Sequence, residues 1–143
     1  MKPDDLKKRT KQFALRILKL VAALPNNAQG RAIANQLVRA GTAVAANYRA
    51  ACRGRSKAEF IAKLGTVEEE ADESAFWMEL IIEAELLKAQ KVQPLLAEAI
   101  ELRKIMASSR ISASTSLKQS KSSISKRDFS TISNRQSAIG NRQ

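Results

Sequence analysis

The sequence predicts an all-α fold, an antiparallel up-down-up-down four-helix bundle with a disordered C-terminal tail. Apolar residues recur at helical spacing in four segments, and only a few residues connect one segment to the next. Hydrophobic residues make up 44% of the chain but aromatic residues only 4%, so the core must consist mainly of Leu, Ile, Val and Ala. Such a core is typical of helix bundles, and short connections make successive helices antiparallel.

The first two predicted helices span about residues 4–24 and 28–51. Asp4 is a plausible N-cap for the first helix, and the sequence LPNN ends it. Gly41 lies inside the second helix, where glycine costs about 1 kcal/mol relative to alanine. We therefore expect Gly41 to allow close packing against a neighbouring helix.

The third predicted helix spans residues 57–89, after the turn CRGR. Ser56 and Glu59 have the spacing of a capping box, in which each side chain binds a free backbone N–H group at the helix start. Pro94 suits the first turn of the fourth helix.

The helical pattern stops at Ser108. The last 36 residues contain 12 Ser and few large apolar side chains, a composition that cannot bury enough apolar surface to fold alone. We therefore expect a four-helix domain over residues 1–107 and a disordered, basic tail over residues 108–143.

Charge is unevenly distributed along the chain. Residues 1–57 carry 13 Lys or Arg and 2 Asp or Glu, residues 58–106 carry 5 and 11, and residues 107–143 carry 7 and 1. The net charge of +11 and the isoelectric point of about 10.2 favour an acidic partner, which could be RNA, DNA or an anionic membrane. The folded part should thus have one basic and one acidic side.

The composition argues against an enzyme. The chain contains no histidine, its single cysteine is Cys52, and its five glycines are scattered rather than grouped in a phosphate-binding loop. The acidic run Glu68–Glu73 invites a metal hypothesis, but paired-metal bundles also use Glu-x-x-His motifs. We therefore expect no metal and no cofactor, and we expect these carboxylates to pair with basic residues.

The sequence favours a cytoplasmic location. The N-terminal residues lack the apolar segment of a secretory signal, and no apolar run approaches the length of about 18 residues that a membrane-spanning helix needs. A single cysteine is compatible with a reducing compartment. The first helix could be misread as a membrane-surface helix, but its apolar face suits a core equally well, so we expect no membrane partner.

A row of cations on the second helix is the candidate nucleic-acid site. Helical spacing predicts one stripe, which the following turn and the third helix extend: Arg31, Arg39, Arg49, Arg53, Arg55, Lys57 and Lys63. The planar guanidinium group suits phosphate oxygens, and such a row can follow a backbone without reading bases. Alternatively, the cations form a solvated face or pair with Glu69, Glu70 and Glu73.

The segment FWMELII is apolar nearly all around its helix, so it must be covered on more than one side. A monomeric bundle leaves the outer face uncovered, which indicates a subunit interface. The candidate interface residues are Leu15, Leu18, Phe76, Trp77, Leu80 and Leu87. The alternative is a thick core with Trp77 partly exposed.

Three stretches carry a family resemblance: DDLKKRTKQFALRILKLVAALP, NNAQGRAIA and NQLVRAGTAVAANYRAACRGRSKAEFIAKLGTVEEEADESAFWMELI. Over about residues 3–106 the chain resembles the bacterial 23S ribosomal RNA intervening sequence proteins, and the tail lies outside their pattern. The resemblance implies a four-helix bundle that assembles into ring-shaped homopentamers. The chain is also similar to the accessory protein of diversity-generating retroelements, a basic pentameric barrel. This second likeness implies RNA and a reverse transcriptase, or another protein, as partners.

These observations favour a non-enzymatic, cytoplasmic, oligomeric bundle that binds structured RNA, such as 23S rRNA, through phosphate contacts. The tail would add affinity. An alternative is a protein-interaction scaffold whose basic and acidic faces pair between subunits, without direct nucleic-acid binding. DNA binding is less favoured because no helix-turn-helix spacing is present.

Overall fold

The computed structural model describes residues 1–140, which form four α-helices and no strand. The helices are α1 (Pro3–Ala22), α2 (Ala28–Cys52), α3 (Lys57–Glu83) and α4 (Ala89–Gly140). Contacts join α1 to α2, α2 to α3, α3 to α4 and α1 to α4, whereas the diagonal pairs make none with Cα atoms within 8 Å. This arrangement confirms the predicted all-α, up-down-up-down four-helix bundle.

Each helix contributes one buried face to a single core. Fully buried side chains include Ile17 on α1, Leu37 on α2, Leu64 and Met78 on α3, and Leu102 on α4. Within the described residues, no helix combines the length and the apolar character that would be needed to cross a bilayer.

Of the two N-caps that the sequence predicts, Asp4 for α1 and Ser56 for α3, the structure confirms Ser56. Asn27 caps α2, where its Oδ1 accepts a hydrogen bond from the Gly30 backbone at 2.8 Å. Ser56 caps α3, where its Oγ accepts from the Glu59 backbone at 3.1 Å. The prediction of Asp4 as the N-cap of α1 is wrong. Lys2 holds that position without a side-chain cap, and Asp4 lies in the first turn, where a carboxylate interacts favourably with the helix dipole.

The boundary between α3 and α4 comes earlier than predicted. α3 ends at Glu83, because Glu85 adopts a left-handed conformation with φ of 56°. The Leu86 backbone N–H then donates to the Ile81 carbonyl, and that of Glu85 to the Ile82 carbonyl, as in a Schellman motif. The sequence does not predict this helix end, because glycine rather than glutamate is usual at this position. As a result α4 starts at Ala89, and Pro94 lies in its second turn.

The predicted disordered tail also differs from the structure, in which α4 continues to Gly140; residues 141–143 lie outside the described part. A low apolar content limits how much surface the tail can bury, but it does not by itself end a helix. No proline or glycine interrupts residues 95–139, so nothing in that segment stops a helix that the bundle has already nucleated. From Lys118 to Ile139 every side chain is exposed. We call residues 118–139 the α4 arm.

The bundle brings α1 unusually close to α2 at Gly41. A Cβ atom at this position would lie 2.6 Å from Ile17 Cγ1 and 2.9 Å from Ile17 Cγ2. Both residues are buried, and the β-branched side chain of Ile17 has little freedom to move aside. The predicted role of Gly41 in close packing is therefore confirmed.

Two glycines allow a matched test of this close approach. Gly65 lies inside α3, where an added Cβ would meet only Arg110 Cδ, at 3.7 Å. We expect Gly65→Ala to raise the free energy of unfolding by about 0.5–1 kcal/mol, because alanine favours the helix. Gly41→Ala should instead lower it by about 1 kcal/mol or more, because overpacking outweighs that gain. Urea unfolding of both variants measures the difference, and a stabilised Gly41→Ala would contradict the close contact.

Candidate nucleic-acid interface

Arginines from the two neighbouring helices bind the acidic run of α3. On the α2 side, Arg39 donates to Glu70 at 3.3 Å and also to Glu73. The hydrogen bond from Arg39 lowers the pKa of Glu73, and a further one from Trp77 Nε1 acts in the same direction. The prediction that these carboxylates pair with basic residues is confirmed for the α2–α3 contact.

The other side of α3 is bound to α4 in the same way. Arg103 donates to Asp72 at 2.6 Å, and Arg110 donates to Glu68 at 2.8 Å. The pKa of Arg110 is raised by its hydrogen bond to Glu68. Across residues 1–140, no group of three Cys, Asp or Glu side chains is arranged to hold a metal ion.

A bidentate ion pair joins α1 to α4. Arg9 Nε and one terminal nitrogen bind the two carboxylate oxygens of Glu98, at 2.9 and 2.6 Å. This hydrogen bond raises the pKa of Arg9 despite partial burial, which opposes the shift. Ion pairs therefore cross the α1–α4, α2–α3 and α3–α4 contacts of the subunit.

Three of the seven predicted binding residues lie apart from the others. Arg39 is already ion-paired. Arg31 lies near the start of α2, donates to Asn26 at 3.1 Å, and is about 27 Å along the helix from Arg49 at about 1.5 Å per residue. Lys63 is half-buried on α3. The predicted continuous stripe is therefore interrupted at Arg39.

The remaining four cations gather where α2 ends and α3 begins. Arg49, Arg53, Arg55 and Lys57 are all exposed, and none makes an ion pair with any other residue in the part of the chain that the structure describes. We call these four residues the basic end. Because no carboxylate neutralises them, their charge is available to a ligand.

The sequence analysis missed a set of lysines beside the basic end. Lys7, Lys8 and Lys11 of α1 line a cleft of about 660 Å³ between α1 and α2, which we call the α1–α2 cleft. Its other lining residues are Asp4, Thr42, Ala45, Ala46 and Arg49. The signal was the dense cation cluster LKKRTK, which helical periodicity alone could not place against α2.

The α4 arm starts at the same end of the bundle. Lys57 Nζ donates to Ser116 Oγ, just before the arm begins. The arm carries five cations and one anion over about 33 Å of helix, at about 1.5 Å per residue. It therefore extends the positive surface away from the basic end.

The predicted interface residues fall into two groups. Phe76, Leu15 and Leu18 are exposed by 51%, 50% and 44% respectively. Trp77, Leu80 and Leu87 are half-buried and pack against the core, as the thick-core alternative expected for Trp77. The rings of Phe76 and Trp77 meet edge to face, with centroids 5.0 Å apart.

Comparison with known proteins assigns the chain to a family. A family model described as 23S rRNA-intervening sequence protein matches residues 4–108. The chain belongs to this family. Because the match ends at residue 108, the end of α4 lies outside the pattern of the 23S rRNA-intervening sequence family, as the sequence analysis expected.

A solved structure of the same kind supports the fold. A crystal structure of a protein of unknown function from the S23 ribosomal protein family of Bacteroides thetaiotaomicron is 32% identical to this chain, with a TM-score of 0.71. The similarity covers 77% of this chain and 98% of that chain. No curated protein matches.

The ion pairs of Arg39 predict a stability effect that depends on pH. Arg39 lowers the pKa of Glu73, so its contribution is present above the pKa of the unfolded carboxyl and is lost as the pH falls through the folded value. We expect Arg39→Gln to lower the urea midpoint at neutral pH, and the difference from the parent protein to vanish in acid. Arg31→Gln, which removes no ion pair within residues 1–140, is the control. Equal effects of both substitutions would contradict this assignment.

Proposed function

We propose that this chain is a non-enzymatic, cytoplasmic RNA-binding protein that holds structured RNA, such as 23S rRNA, through phosphate contacts at the basic end. The observation that carries the proposal is that Arg49, Arg53, Arg55 and Lys57 are exposed together and have no anionic partner within residues 1–140. Membership of the 23S rRNA-intervening sequence family supports an RNA-related role.

The dipole of α3 strengthens the positive potential at the basic end. The first residue of α1, Pro3, lines one hollow of about 450 Å³ together with Gly54, Arg55, Ser56 and Lys57 at the start of α3. The N-termini of two helices therefore point to the same region as the free cations. The N-terminus of α3 adds partial positive charge that favours phosphate oxygens, whereas Asp4 and Asp5 in the first turn of α1 offset that of α1.

The chemistry of this region favours the RNA backbone over the bases. The nearest aromatic side chains are Tyr48, which is buried, and Phe60, which is half-buried. Neither offers an exposed ring on which a base could stack, and stacking is a main source of affinity for unpaired bases. Binding should therefore depend steeply on salt and little on base sequence.

Assembly into a ring-shaped homo-oligomer is part of the proposal. The apolar side chains of Leu15 and Leu18 on α1 and of Phe76 on α3 are exposed, and association would cover them. A ring would present one basic end per subunit to the same RNA, so that modest contacts add up by multivalency. A pentamer is the size that the family resemblance implies, and a reverse transcriptase or another protein is a further candidate partner.

A charge-matched pair of triple variants tests the RNA site. The test variant is Arg53→Gln/Arg55→Gln/Lys57→Gln, and the control is Lys19→Gln/Lys88→Gln/Lys91→Gln, which removes three exposed cations from the other end of the bundle. In filter binding with a 23S rRNA fragment across a salt series, the test variant should lose about tenfold or more in affinity. The slope of log affinity against log salt should become shallower by about 2–3, because up to three phosphate contacts are lost.

The control variant should retain most of the affinity and slope of the parent protein. Equal losses in both variants would mean that only net charge matters, and the basic end would not be a site. An affinity that does not change with salt in the parent protein would contradict phosphate binding altogether.

A further inference from the structure

The outer face of α3 carries an apolar centre between carboxylates. Glu69, Asp72, Phe76, Glu79 and Glu83 follow one another at intervals of three and four residues, which places them on one face, and all five are exposed. We call this set the α3 stripe. Asp72 binds Arg103, whereas Glu69, Glu79 and Glu83 make no ion pair within residues 1–140.

The outer face of α1 has the opposite charge. Lys8, Lys11, Leu15 and Leu18 are spaced by three and four residues and are all exposed. We call this set the α1 stripe. Its lysines border the α1–α2 cleft, where the small side chains of Ala45 and Ala46 leave room for another helix to approach closely.

The two stripes of one subunit cannot meet each other. α1 and α3 are the diagonal pair of the bundle and make no contact, so their exposed faces point away from each other. Each stripe therefore leaves large apolar side chains and unpaired charges in water. Surfaces of this kind usually mark sites of association.

We infer that the α1 stripe of one copy docks on the α3 stripe of a second copy. Leu15 and Leu18 cover Phe76, and Lys8 and Lys11 bind carboxylates of the α3 stripe. The inference rests on the assembly part of the proposed function. It names the two faces that form each contact between neighbouring subunits, which we call the seam. Contact between unlike faces is head-to-tail, the type of contact that closes a ring when the rotation between subunits permits.

Charge complementarity identifies a second copy as the occupant. Carboxylates flank Phe76 on both sides along α3, so the lysines of the α1 stripe meet anions whichever direction α1 takes across it. A nucleic acid would be repelled by the α3 stripe, and a second α3 stripe would be repelled equally. Different cations then take part in the two functions. Lys8 and Lys11 bind the neighbouring subunit, while Arg53, Arg55 and Lys57 stay available to RNA.

Charge reversal on each face, and then on both, tests the seam. We expect Lys8→Glu/Lys11→Glu and, separately, Glu69→Lys/Glu79→Lys/Glu83→Lys to raise the dissociation constant of assembly at least about tenfold, since like charges would then face each other. A variant that carries all five substitutions should recover assembly. Light scattering over a range of protein concentrations measures the molar mass, and circular dichroism checks that each variant is folded.

The single tryptophan provides a second readout. Trp77 is half-buried and touches Phe76, so burial of Phe76 in a seam should shift its emission when the parent protein is diluted. The shift should be absent at the same concentrations in either charge-reversed variant, because these subunits are already separate.

The outcomes distinguish this inference from the proposed function. If the charge-reversed variants assemble normally, or if the five-fold variant fails to recover, the α1–α3 seam is wrong although RNA binding at the basic end is untouched. If the parent protein is a monomer at every concentration, both the assembly part of the proposed function and the seam are wrong. Loss of RNA binding in the Arg53, Arg55 and Lys57 variant is independent of both results.

Discussion

The close approach of α1 to α2 at Gly41 determines where the positive charges of the molecule meet. Ile17 occupies the space that a side chain on residue 41 would need, so the two helices lie nearer than ordinary side chains would allow. This contact holds the first turns of α1, with their lysines, beside the last turns of α2, with Arg49. The cations repel one another across the α1–α2 cleft, and the packing of the surrounding core must offset that repulsion.

The carboxylates of α3 decide which cations remain free. Those that point towards α2 and α4 are bound by Arg39, Arg103 and Arg110, so these arginines act within the subunit. Of the α3 stripe, Glu69, Glu79 and Glu83 make no ion pair within residues 1–140. The side chains of the four cations of the basic end likewise make no ion pair within residues 1–140, although the Glu59 carboxylate accepts a hydrogen bond from the Arg55 backbone. Charges at the contacts between helices are therefore largely paired within the subunit, whereas its outer faces carry net charges of opposite sign.

The helical pattern of the sequence predicted the architecture well because a bundle depends mainly on periodic apolar burial. The apolar faces of all four helices lie inside, and the roles of Ser56 and Gly41 follow from local chemistry that spacing reveals. Glu59 binds the backbone N–H of Arg55 rather than that of the N-cap Ser56. The end of α3 could not be predicted, since Glu85 adopts a backbone conformation that favours glycine. The length of α4 could not be predicted from apolar burial, because helix propensity and the absence of proline and glycine determine it.

The candidate site was harder to predict because it depends on neighbours from other helices. A helical wheel of α2 groups Arg31, Arg39 and Arg49, but only tertiary packing reveals that Glu70 and Glu73 bind the middle one. Packing likewise brings Lys7, Lys8 and Lys11 of α1 to Arg49, which no single-helix pattern contains. Sequence identifies which cations exist, whereas the fold decides which of them are neutralised.

Salt should act differently on the two kinds of contact that the fold separates. The proposed contacts between the basic end and RNA phosphates would be almost purely electrostatic, so added salt should weaken each of them. The proposed seam combines ion pairs with apolar contacts around Phe76, and salt does not weaken the apolar part. As ionic strength rises, RNA should therefore leave the protein before its subunits separate. An assembly with this order of events can release its RNA and bind again without first rebuilding the ring.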